Sequence, residues 1–117
     1  MYKFAAVIAL LFAACAANAA NYQGIIGNVT PYNGRLFISV NSGGFDGAAS
    51  TCFTNATSMV YSVDASTVTG KAILAVALSA KLTSKQVYVF GDTTCPAGGN
   101  PYNGTGSENM VGIDLKG

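Results

Sequence analysis

The chain has 117 residues, half of them hydrophobic and only 9% charged, with no histidine, no tryptophan and a formal net charge of +1. That length suits one domain. With so few charges there is no basic stripe to neutralise phosphates, so nucleic acid is excluded as an expected partner.

The first nineteen residues, MYKFAAVIALLFAACAANA, read as a signal peptide. Lys3 precedes an apolar run from Phe4 to Ala14, and Ala17 and Ala19 stand at the −3 and −1 positions that signal peptidase reads. The mature chain is expected to start at Ala20, and residues 20–117 form one domain, secreted or periplasmic. The apolar run is too short to span a bilayer, so no transmembrane segment is expected. A variant reading keeps Cys15 as a lipidated terminus behind Phe12-Ala13-Ala14. In the mature chain Arg35, Lys71, Lys81, Lys85 and Lys116 balance Asp46, Asp64, Asp92, Glu108 and Asp114. Such a charge-poor surface suits self-association or uncharged ligands. Cys52 and Cys95 are the cysteines left after processing, and in an exported chain they are expected to be bonded. Reactive or metal-binding thiols are disfavoured, because no histidine accompanies them and they are far apart in sequence.

Along the mature chain, Tyr22–Thr30 is predicted as a strand with Ile25 and Val29 on one face. Pro31-Tyr32-Asn33-Gly34 supplies the Asn-Gly pair of a two-residue hairpin turn, and RLFISV returns with Leu36, Ile38 and Val40 inward. The segment 41–47, NSGGFDG, is predicted as a loop bearing one aromatic, Phe45. A third strand, Cys52–Val63, carries Met59, Tyr61 and Val63. From Thr67 to Leu82 the period changes to that of a helix, with Leu74, Leu78 and Leu82 on one stripe, Ile73, Val76 and Ala80 on the next, and Ser66 or Thr67 as N-cap. A helix so nearly apolar all round is expected to be covered on two sides. QVYVFG then places Val87 and Val89 on one face, residues 96–106 form a second loop, and Val111, Ile113 and Leu115 alternate through a last strand. The fold class is therefore mainly β (α+β): a small OB-like β-barrel of order β-β-β-α-β-β with one apolar helix and one disulfide.

Without histidine the usual general base near neutral pH and the commonest metal ligand are both missing. The acids are few and scattered, and nucleotide-binding and nucleophile-elbow motifs are absent, so neither an enzyme, a cofactor nor a metal is expected. Asn28, Asn55 and Asn103 each head an N-glycosylation sequon, which matters only in a eukaryotic host. Aromatics among Asn, Ser and Gly suit stacking on sugar rings, with amides and carboxylates for the hydroxyls, although such rings also cap barrel ends. The candidate ligand-binding residues are Tyr32, Phe45 and Tyr102 for stacking and Asn33, Asp46 and Asn103 for hydroxyls.

The stretches GRLFISV at 34–40, Cys52, GKAILAVALSAKLTSKQVYVFGDTTC at 70–95 and VGIDL at 111–115 resemble the small bacterial exported proteins of the subtilase-cytotoxin B-subunit group. The resemblance implies an OB-fold, a homo-oligomer (a pentamer) that binds cell-surface glycans, and a separate toxic A subunit. In such rings helices line a central pore, whereas the apolar helix here fits a buried helix or a dry contact between subunits. The functional expectation is a non-catalytic glycan-binding module, partnered by a cell-surface glycan or another protein. The alternative is a structural or interaction protein of the envelope or extracellular matrix, and a further one is an inhibitor of a secreted hydrolase.

Overall fold

A computed structural model describes residues 19–53, 57–102 and 106–116. The expected leader up to Asn18, the Cys15 variant, and the sequons at Asn55 and Asn103 lie outside the described residues. Among the described residues five strands and one helix follow in the predicted order: β1 Asn21–Tyr32, β2 Arg35–Asp46, β3 Ser58–Asp64, α1 Val68–Thr83, β4 Gln86–Gly91 and β5 Glu108–Leu115. The strands close into a barrel in the order β1-β2-β3-β5-β4, with β4 returning to β1 and β3 parallel to β5. Closure removes the sheet's free edges, and the helix between β3 and β4 makes this an OB-like barrel.

The β1–β2 turn has positive φ at both Asn33 (50°) and Gly34 (77°), the conformation an Asn-Gly hairpin turn requires. β2 continues past Val40 to Asp46, where a loop was predicted. Ser42, at φ 58°, sits in a β-bulge there: its N–H leaves the β1 ladder for Thr57 O at 3.0 Å, and pairing with β1 resumes at Gly44. The turn-forming residues thus mark a bulge instead of a connection. β1 carries a shift of its own between Ile26 and Asn28. Tyr22, Gly24 and Ile26 face inward and Ile25 lies half-exposed, which corrects the expected Ile25 face. β3 starts at Ser58, later than predicted, and buries Met59, Tyr61 and Val63 as expected.

α1 starts and ends on local chemistry. Thr67 accepts from Gly70 N–H at 2.9 Å as N-cap, and Ser84 closes the helix in the left-handed region. Its buried stripe is Gly70, Ile73, Ala77 and Ala80. Leu74 and Val76 are half-buried, while Leu78 and Leu82 face out, so the predicted leucine stripe is not the packed one and the second side is uncovered in the single chain. Small side chains let the helix axis approach the barrel closely, which large ones would prevent. Among the described residues no helix is long and apolar enough to cross a membrane.

In β4, Val87 and Val89 are fully buried, as the alternation predicts. In β5 the register shift between Phe90 and Gly91 turns Val111 outward and gives its inward place to Met110, while Ile113, half-buried, and Leu115, exposed at the strand's end, pair with Val89 and Val87. Cys52 and Cys95 form a disulfide with their Cα atoms 5.3 Å apart.

Candidate binding cleft at the hairpin tip

The tip of the β1–β2 hairpin and residues 97–100 enclose a cleft of about 300 Å³, lined by Tyr32, Asn33, Arg35, Phe37, Gly98 and Asn100 among others. Each wall has a local cause. The tight turn projects Tyr32 and Asn33 beyond the barrel, and Tyr32 remains 47% exposed. Its ring stands edge-on against buried Phe37, centroids 6.1 Å apart at 66°, so an exposed aromatic face is braced from below. Arg35 donates from Nε to Ser62 Oγ and from Nη2 to Asn109 Oδ1, each at 3.0 Å. Both acceptors are neutral, so the guanidinium is fixed in place with its charge uncompensated by them.

The opposite wall is anchored at several points. Asn100 donates to Gly106 O and accepts from Tyr102 N–H, both at 2.9 Å. Tyr102 reaches back to the hairpin, with its hydroxyl 2.9 Å from Thr30 Oγ1 and donating to Phe37 O at 3.1 Å. Burial raises the pKa of that hydroxyl above its ordinary value.

The sequence-predicted candidates fall in two places. Tyr32 and Asn33 line this cleft, and Tyr102 is half-buried behind it as an anchor of its wall. Phe45 and Asp46 lie at the opposite end of the hairpin, where β1 begins, in a more open concavity shared with Gln23, Gly44 and Gln86. There Phe45 meets Tyr22 edge-on at 5.1 Å, and Asp46 accepts from the Tyr88 hydroxyl at 2.6 Å. Asn103 lies outside the described residues. Arg35, Phe37 and Asn100 escaped the sequence reading, because alternation assigned Arg35 only to the outer face of β2. Its place directly after the turn was the available signal.

Asp64 and Asp92 serve local backbone geometry. Asp64 Oδ1 accepts from Ser66 N–H and Oγ at 2.9 and 2.7 Å, and these bonds hold its carboxyl below the ordinary range. Asp92 accepts from Thr94 N–H at 2.9 Å and from the Asn109 amide at 2.8 Å. Among the described residues no three of His, Cys, Asp and Glu gather as metal ligands would.

Fold and cleft together define a small disulfide-bonded barrel of OB-like form with a braced aromatic at one end. Comparison with known proteins adds no relative to that description: no family model, curated protein or solved structure matches the chain.

Proposed function

We propose that this is an exported, non-catalytic binding module whose ligand is a glycan, taken at the hairpin-tip cleft, as the likeness to toxin B subunits implies. The observation that carries the reading is Tyr32, an exposed ring braced by Phe37 beside the Asn33 amide and the fixed Arg35 guanidinium. An aromatic face with convergent polar donors is the arrangement that binds sugar rings, and the cleft's volume lies at the lower end of small-ligand sites. One such site binds weakly, and a pentamer would multiply its effect. The lack of histidine, and the use of Asp64 and Asp92 in local turns, support a role without chemistry. The test is a glycan array of the secreted, oxidised protein beside Tyr32→Ala and Arg35→Ala, with light scattering for the assembly state. Sugar binding that Tyr32→Ala abolishes at unchanged melting temperature supports the reading. Binding that survives both substitutions refutes the assignment of the cleft.

A second reading, an assembly protein of the envelope or matrix, is favoured by the outer face of α1. Val68 and Leu82 are each 86% exposed and Leu78 43%, an apolar surface that a second subunit would cover. It expects concentration-dependent stability with no response to sugars.

A further inference from the structure

Glu108 opens β5 with 1% of its surface exposed, a carboxylate closed inside one end of the barrel. Among the described residues its partners are neutral. Ser50 Oγ donates to Oε1 at 2.6 Å, and the backbone N–H groups of Ala20 and Thr93 each donate to Oε2 at 3.2 Å. A buried carboxylate held only by neutral donors is costly, and folded proteins pair such charges or neutralise them. The surroundings are built to seat this group. A Cβ on Gly91 would collide with both Glu108 Oε2 and Ala20 O, so only glycine lets β4 pass there.

Ala20 is as firmly placed as its acceptor. It is 2% exposed, and its carbonyl accepts from the Tyr61 hydroxyl at 2.8 Å and from Gly91 N–H at 3.2 Å. Burial, with the Glu108 charge second, holds that tyrosine hydroxyl in its protonated, donating form. Ala19, just before it, is half-exposed. The nitrogen facing Glu108 is thus the one that cleavage after the Ala17-Asn18-Ala19 motif would free.

We infer that cleavage between Ala19 and Ala20 creates the counter-ion Glu108 lacks, the new α-ammonium of Ala20 forming a buried ion pair that locks the barrel end in the processed protein. This rests on the export reading above. Hydrolysis breaks the Ala19–Ala20 C–N bond: the hydroxyl of water goes to the Ala19 carbonyl carbon and its proton to the nitrogen. The acid so formed passes its proton to the amine, leaving a carboxylate on the departing leader and an ammonium on Ala20. One neutral donor becomes a charged group with three, at the same position beside Oε2. The pair also gathers the flanks of the disulfide, since Ser50 and Thr93 lie two residues before Cys52 and Cys95.

The experiment begins with the intact mass of the exported protein, which should fit Ala20 as first residue; any other terminus overturns the inference and the processing reading together. The Ala20 protein is then compared with one that keeps Ala19, each alone and with Glu108→Gln. The Ala20 protein should melt higher than the Ala19 protein, and Glu108→Gln should erase the difference. If the Gln variants do not fold, reactivity decides. At neutral pH an amine-acylating reagent should label the Ala20 amine at least about tenfold more slowly than the Ala19 amine, with the lysines as internal standard. Equal melting or equal labelling in a protein that does begin at Ala20 overturns the ion pair and leaves the processing reading standing. Neither outcome depends on whether a glycan binds.

Discussion

Replacing Cys52 and Cys95 together with alanine should cost this barrel about 4 kcal/mol. The two are separated by 43 residues in sequence, and closing a loop of that length removes about 13 cal/mol/K from the unfolded chain, which is about 4 kcal/mol at 25 °C. For a domain of about 100 residues, whose whole stability is about 5–15 kcal/mol, that corresponds to a fall of about 15–20 °C in melting temperature. Urea unfolding followed by circular dichroism separates this origin from lost native contacts. If the bond acts through the unfolded state, the midpoint falls and the slope m rises, because the untethered chain exposes more surface. A loss below about 1 kcal/mol at unchanged m would refute the chain-entropy argument. A full loss at unchanged m would place the stabilisation in the folded state, where the bond holds the segments carrying Ser50 and Thr93 against Glu108.

Thr67→Ala removes the acceptor for Gly70 N–H and should cost about 1 kcal/mol by thermal melting; no change would mean the cap bond is replaced by water. Tyr22→Phe deletes a buried hydroxyl that has no partner among the described residues, so it should leave stability unchanged or raise it by up to about 1 kcal/mol, and a clear loss would reveal a partner such as an internal water. Because Ser66 holds the Asp64 carboxyl below its ordinary range, Asp64 stabilises the fold above the usual carboxylate pKa of about 4, and that contribution fades as pH falls through the lower folded value. In an NMR titration Ser66→Ala removes the hydroxyl donor and keeps the backbone one, so the Asp64 midpoint should rise part of the way back, and an unmoved midpoint would show that the hydroxyl bond is not a cause of the shift.

The parts of this fold that were legible in the sequence are those where one local rule acts alone. The Asn33-Gly34 turn, the Thr67 cap and the strict alternation around Val87 and Val89 each specify their geometry within a few residues. The parts that were not legible are the bulges. At Ser42 and at Val111 one extra residue breaks the two-residue period, so β2 reads as ending six residues early and β5 as presenting the wrong face at one position. The helix misled for another reason. When nearly every position is apolar, periodicity carries little directional information, and here the packed stripe is set by how closely small residues let α1 approach, not by hydrophobicity. Only part of the cleft was legible for the same reasons: Tyr32 and Asn33 announce themselves beside a turn, whereas Phe37 and Asn100 are brought there by tertiary contacts that leave no local mark.

Glu108 shows the same limit most sharply, and it also connects the two ends of the molecule. As a lone acid beside a loop it has the sequence signature of a solvated residue, and only the barrel's closure makes it a buried centre that ties the start of β1 to Ser50 and Thr93. The far wall of the cleft, residues 97–100, belongs to the segment between Cys95 and Glu108, so both ends of that segment are fixed at this centre while Tyr102 ties its middle to Thr30 and Phe37. A wall held at three points can keep a shallow cleft preformed, which lowers the ordering cost of binding a small ligand. If the proposed ligand sits at Tyr32, loosening the Glu108 centre should weaken its binding without touching a residue that lines the cleft.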